Sequence, residues 1–152
     1  MPTPDQQASE APFVSVIVPV YNDAERLKTC LEALETQTYP SDAYEVIAVD
    51  NNSDEGIEAI VEDYPHAVPE FERKQGSYAA RNRGLQRAQG DIFAFTDADC
   101  IPAGRWVEAG AQCLYSTDAD YIGGPVAIFV SDSEDPSPAG LFDALVSFPQ
   151  HA

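Results

Sequence analysis

Apolar positions in this chain come in short blocks whose period switches between that of a buried strand and that of a helix. Val14-Ser15-Val16-Ile17-Val18 is almost continuously apolar and β-branched. This is the pattern of a strand buried on both faces in a parallel sheet, and Pro19 is expected to end it. Asn22 followed by Glu25 predicts a capping box. Leu27, Cys30, Leu31 and Leu34 then fall on one helical stripe, and Tyr39-Pro40-Ser41-Asp42 breaks it. Tyr44-Glu45-Val46-Ile47-Ala48-Val49-Asp50 predicts a second strand that ends in an acid, with Asn51-Asn52-Ser53-Asp54 as turn and cap. Ile57, Ile60, Val61 and Tyr64 stripe a second helix before Pro65. A short strand over Val68 to Glu72 belongs at a sheet edge because of Pro69.

Gly76 to Gln89 predicts a third helix, packed through Ala79, Ala80, Leu85 and Ala88. Gly84 inside it costs about 1 kcal/mol relative to Ala, which a close packing contact or a ligand would offset. Gly90-Asp91 opens a fourth strand, Ile92-Phe93-Ala94-Phe95. Pro102 suits the first turn of a fourth helix with Trp106, Gly110, Cys113 and Leu114 on one side. Strands are expected over Tyr121–Gly124 and Pro125–Val130, an acidic loop over Ser131–Ala139, and a last short helix carrying Leu141, Leu145 and Phe148. Residues 1–12 are polar and read as a flexible tail ahead of one domain over 13–152. The strand–helix alternation implies an α/β fold with a mostly parallel sheet.

Composition narrows the partners. The chain has 152 residues and a net charge of −18, from 26 acids against 8 bases. That balance argues against long nucleic acids and anionic membrane surfaces as electrostatic partners. It also points to a halophilic setting, where concentrated salt screens like-charge repulsion. Cys30, Cys100 and Cys113 match no zinc or disulfide spacing. Cys30 and Cys113 are expected in the core, and all three are expected as reduced thiols of a cytosolic protein. No apolar run reaches the ~18 residues of a membrane span, and residues 1–12 lack the features of a secretory signal.

Candidate chemistry gathers at strand ends. In open parallel sheets ligands bind beyond the carboxyl ends of the strands. Three polar stretches are expected there: Pro19-Val20-Tyr21-Asn22, Asp50-Asn51-Asn52-Ser53 and Asp97-Ala98-Asp99. If the last is extended, Asp97 and Asp99 point to one side and offer hard oxygen ligands to Mg²⁺ or Mn²⁺ shared with substrate phosphates. The same two residues are also ordinary turn and N-cap residues. Arg73, Lys74, Arg81, Arg83 and Arg87 bring local positive charge into a very acidic chain. Arg83 and Arg87 are expected on a solvated helix face, and Arg81 is the stronger candidate for an anionic ligand. A nicotinamide- or methyl-donor Rossmann enzyme is disfavoured, because the turn after the first strand has no G-x-G. A sugar nucleotidyltransferase would carry a Gly- and Arg-rich loop there, and that loop is absent.

Taken in order, five stretches resemble the amino-terminal half of a family 2 inverting glycosyltransferase. They are Val16 to Asn22, Val49 to Asp54, Gly76 with Ala80-Arg81-Asn82-Arg83-Gly84, Ala88 to Asp91, and Phe95 to Asp99. The resemblance implies a GT-A, Rossmann-like fold and transfer of a sugar, with inversion, from a nucleotide-diphosphate sugar of the UDP type to an acceptor hydroxyl. It implies that Pro19, Val20 and Tyr21 line a nucleotide pocket, that Asp50 accepts from the base ring with Asn52 among the substrate-binding positions, and that Arg81 lies near the base and diphosphate. It further implies that Asp97 faces the ribose or metal and that Asp99 holds Mg²⁺ or Mn²⁺. The family's catalytic base would lie beyond Ala152, so the chain is expected to be a truncated, donor-binding portion. Asp132, Glu134, Asp135 and Asp143 match no base motif and are expected at the solvated surface. A catalytically incomplete nucleotide-sugar-binding fragment, or a degenerate protein, is the alternative reading. Acceptors in the family are glycans or lipid-linked molecules, which implies a cytoplasmic protein with peripheral association at the inner membrane face.

Overall fold

A computed structural model describes residues 11–126. Four strands, β1 (Val14–Val20), β2 (Tyr44–Asp50), β3 (Ala67–Phe71) and β4 (Ile92–Phe95), form one sheet in the order β3-β2-β1-β4. Every neighbouring pair is parallel. Four helices connect or follow them: α1 (Ala24–Glu35), α2 (Glu58–Val61), α3 (Ser77–Arg87) and α4 (Trp106–Ser116). All of these elements belong to one compact unit that runs to Asp118.

The continuous apolar run of β1 has the predicted cause, because both of its faces are covered. Val14, Val16, Val18 and Val20 pack with Leu27, Cys30, Leu31 and Leu34 of α1 and with Val107 and Ala111 of α4. Ile17 points the other way and packs with Ile47, Val49 and Ala80, beneath α3. The one polar residue in the run, Ser15, is fully buried. Its hydroxyl donates to Glu45 Oε1 at 2.7 Å and accepts the Gly90 N–H at 2.8 Å. It therefore ties the strand to the turn between α3 and β4.

The two prolines show how the ladder tolerates a missing N–H. Pro69 lies in edge strand β3, as predicted. Glu72 N–H bonds the Asp50 carbonyl of β2, so odd-numbered residues of β3 turn their backbone groups to the open edge. Pro19 does not end β1; it pairs with Val49 inside the strand. The Ile17 carbonyl accepts the Thr96 N–H from the β4 side, where pairing stops at Ile17–Phe95. Two residues on, the Pro19 nitrogen faces the same side, beyond the end of β4, so no ladder bond is lost.

Other local expectations are corrected. No side-chain cap forms at the start of α1, whose N-cap is Asp23. Asn22 sits at φ 49° and spends its amide on Asp54: Oδ1 accepts the Asp54 N–H at 2.8 Å and Nδ2 donates to the Asp54 carboxylate at 3.3 Å. The second helix is four residues long, and tighter turns carry the chain on from Asp63 and Tyr64. α4 begins at Trp106 rather than Pro102, because Gln37 at the end of α1 accepts the Val107 N–H at 3.0 Å and donates to the Ala103 carbonyl at 2.9 Å. Its buried positions are Val107 and Ala111, and Cys113 is exposed rather than in the core. Residues 121–126 form no strand. The rest of the expected second strand there, the acidic loop, the last helix and the acids from Asp132 to Asp143 lie outside the described residues.

Candidate functional site

Three of the four strand ends converge on one open cavity of about 460 Å³. Pro19, Val20 and Tyr21 come from β1, Asn51 follows β2, and Asp97, Ala98 and Asp99 follow β4. Asp23 at the start of α1 and Gln75, Gly76, Ser77 and Arg81 at the start of α3 complete the wall. The chain leaves β1 towards β2 and β3 and returns to β4 on the other side, so the cavity lies at the reversal of strand order, where open α/β sheets bind ligands.

The aspartates arrive by a turn, not by an extended segment. The Asp97 carbonyl accepts the Cys100 N–H at 3.0 Å, and Ala98 is buried in the core beneath. Asp97 and Asp99 nevertheless both line the cavity. Arg81 Nη2 donates to Asp97 Oδ1 at 2.6 Å, which places a guanidinium beside the acid pair. The Asp97 carbonyl also accepts the thiol of Cys30 at 3.7 Å. Burial, and then the negative neighbours Cys100, Asp99 and Asp97, push that thiol up to about 12, so it stays a neutral donor under the turn.

Pro19, Val20, Tyr21, Arg81, Asp97 and Asp99 thus line one cavity. Tyr21 is 52% exposed and lines the cavity. Asp50 and Asn52 lie outside the lining. Asp50 is 3% exposed and its Oδ1 accepts the Ser53 N–H at 3.0 Å. Asn52 takes a left-handed φ of 65° in an exposed turn. Arg83 and Arg87 do not face the cavity; they pair with Glu70 and tie α3 to β3. Asp23, Gln75 and Ser77 carry no site expectation from the sequence; Asn51 enters there only within the polar stretch after the second strand and the family resemblance, and Gly76 only as the expected start of the third helix and within that resemblance. Gly76 takes a φ of 125° just before α3, a conformation that glycine permits.

Two carboxylates on one wall are the donor set that Mg²⁺ or Mn²⁺ uses when substrate phosphates supply the remaining ligands. Among the described residues no group of three or more His, Cys, Asp or Glu side chains could hold an ion by itself. Asp97 and Asp99 therefore do not form a closed protein cage, and a cation held by them would need further ligands from a bound group.

Comparison with known proteins identifies the architecture. The model for Glycosyl transferase family 2 matches residues 15–146. The chain belongs to this family. Among curated family relatives, glycosyltransferase AglE of Haloferax volcanii is 46% identical over 123 residues, covering 78% of this chain and 40% of that protein. The uncharacterised glycosyltransferase YibD of Escherichia coli is 40% identical over 90 residues, covering 57% of this chain and 26% of its own length. The chain thus spans well under half of these relatives. Among solved structures, S. aureus TarS in complex with UDP superposes with a TM-score of 0.65 at 25% identity, over 77% of this chain and 39% of that one. The mannosyltransferase PcManGT of Pyrobaculum calidifontis, in complex with GDP-Man and Mn²⁺, gives 0.60 at 34% identity, over 66% and 31%. The parallel sheet with flanking helices is therefore the GT-A-like fold expected of a family 2 glycosyltransferase.

Proposed function

We propose that this chain binds a nucleotide-diphosphate sugar, with UDP as the nucleotide, and serves the transfer of its sugar with inversion to an acceptor hydroxyl. One observation carries the reading: Arg81, Asp97 and Asp99 meet the β1 end, Pro19 to Tyr21, in a single cavity at the carboxyl ends of the strands. The similarity to structures that hold UDP, UDP-GlcNAc and GDP-Man supports it. In the transfer, the acceptor oxygen bonds the anomeric carbon while the bond from that carbon to the diphosphate oxygen breaks. The acceptor proton passes to a base, proposed to lie outside the described residues. Asp99, with Asp97, would hold Mg²⁺ or Mn²⁺, which supplies charge neutralisation to the leaving diphosphate. Arg81 is placed to add a fixed positive charge at the same point. The base-ring roles of Asp50 and Asn52 belong to the same proposal, although both lie outside the cavity lining and Asp50 is buried against the Ser53 N–H.

A glycan or lipid-linked acceptor, met in the cytoplasm at the inner membrane face, belongs to the same proposal. No helix among the described residues is long and apolar enough to cross a membrane. Titration calorimetry of UDP with Mn²⁺, repeated with the metal chelated, tests the reading. Asp99→Ala is expected to remove the metal-dependent part of the affinity, by at least the roughly tenfold that losing even an outer-shell partner of a metal costs. UDP affinity that ignores both Mn²⁺ and Asp99 would overturn the metal assignment. Failure of the unaltered protein to bind UDP, with binding of GDP instead, would reassign the nucleotide, and failure with both would reject the donor site.

A further inference from the structure

The wall of the cavity formed by Gln75, Gly76 and Ser77 belongs to a loop with little internal bonding of its own. Within Glu72–Gly76 the one side-chain bond is from the Lys74 N–H to Glu72 Oε1. The Glu72 N–H bonds the Asp50 carbonyl of β2, and beyond that point the loop is tied to the sheet by Asn51, 5% exposed, from the adjacent strand end. Its Nδ2 donates to the Glu72 carbonyl at 3.2 Å and to the Lys74 carbonyl at 2.8 Å. Its Oδ1 accepts the Gly76 N–H at 2.8 Å. Its own backbone N–H bonds the Val20 carbonyl at 2.8 Å, which fixes it against β1.

We propose that Asn51 is the positioning residue of the cavity, the side chain that clamps the loop between β3 and α3 so that Gln75, Gly76 and Ser77 form one wall of the donor site. The role needs an amide. The amide nitrogen faces two carbonyls and the oxygen faces an N–H, so three of its four hydrogen-bonding sites are used and one orientation is fixed. A carboxylate of the same shape turns acceptors on both carbonyls, and an aliphatic side chain leaves all three backbone groups unpaired. The clamp also sets the start of α3. Gly76, at φ 125°, is its N-cap and no side chain caps that end. Asn51 therefore fixes the direction in which the helix leaves and, five residues on, where Arg81 meets Asp97.

The consequence for binding rests on the donor-site reading above, whereas the clamp itself does not. Two measurements on the full chain separate them: amide hydrogen exchange over residues 72–77, and the Kd for UDP with Mn²⁺ well below the melting temperature. Asn51→Ala and Asn51→Asp are each expected to speed exchange of 72–77, with β1 and β2 unaffected, and to weaken UDP by at least about tenfold. Ile47→Val is the control for a purely structural effect. Ile47 is fully buried on β2 away from the cavity, so this variant should lower the melting temperature and leave the Kd unchanged. Should Asn51→Ala fail to fold, Asn51→Ser, which keeps one hydroxyl, carries the same two expectations. Exchange over 72–77 that matches the unaltered protein overturns the clamp. Faster exchange with unchanged UDP affinity overturns its role in the site. If the unaltered protein binds no UDP, the donor-site reading fails and the exchange result alone upholds or overturns the clamp.

Discussion

Cys30 lies fully buried on α1, directly below the turn that carries the two aspartates. Its pKa is raised from 9.0 to about 12, first by burial and then by Cys100, Asp99 and Asp97. Folding therefore favours the neutral thiol. The resulting stability is complete below pH 9.0 and is lost as pH climbs towards 12. Tyr39, Tyr44 and Tyr64 are raised for the same leading reason and add to the alkaline loss, so the informative comparison is with Cys30→Ala. Urea melts from pH 8 upward are expected to show a shallower fall in the variant, and parallel curves would show that burial does not hold the thiol neutral. At this scale, legibility depended on whether a residue's partners were local. The helical spacing of Cys30 marked it as core, and the pairing of Asp97 with Asp99 showed in two letters. The contacts of Asn51 were illegible because its partners are backbone groups 21, 23 and 25 residues away. Asn22 was misread for the same reason, since the cap pattern was present but Asp54, 32 residues on, took the amide.

At the level of elements, the sharpest contact is the seat of α3 on the sheet. A Cβ on Gly84 would stand 2.5 Å from Ile17 Cγ2 and 3.3 Å from Val49 Cγ2, both on fully buried side chains. Gly84→Ala gains about 1 kcal/mol of helix propensity against an overpacking cost of about 1–3 kcal/mol. The variant is expected to be less stable by up to about 2 kcal/mol in denaturant melts. A variant as stable as the parent would mean that α3 can ride outward at no cost. The sequence already held this contact in outline, because a glycine inside a helical stripe requires something close by. It also placed Pro69 on an edge and the order of strands and helices as far as α4. It failed where an element's extent depends on a neighbour. Pro19 stays in β1 because β4 is the shorter strand, and α4 starts late because Gln37 anchors the turn before it. The apolar positions of the second helix were right, with Ile57 and Val61 buried and Ile60 and Tyr64 packed beside them. Spacings of three and four simply do not distinguish a helix from one short turn followed by tighter ones.

Over the whole molecule, the acids have few local answers. Of the eight bases, Arg26, Lys28, Arg81, Arg83, Arg87 and Arg105 already pair with carboxylates. Most of these pairs are exposed and each is worth little. The charged groups of Arg73 and Lys74 have no ion-pair partner among the described residues; the Lys74 bond to Glu72 is from its backbone N–H. The net charge of −18 thus leaves a large excess of acids over the chain's cations, a repulsion that ions in the solvent would screen. The Debye length falls from about 10 Å at 0.1 M salt to about 3 Å at 1 M. If screening is what the acidic surface requires, the melting temperature should rise with KCl and most of the rise should come below about 1 M, after which little repulsion remains to screen. Sucrose at matched osmolality controls for exclusion from the surface, which also favours compact states but does not act on charge. A melting temperature that is flat in KCl would remove the case for a halophilic setting. A rise that continues evenly into molar salt, and that sucrose reproduces, would assign the stabilisation to surface exclusion and leave the carboxylates only a part in solubility.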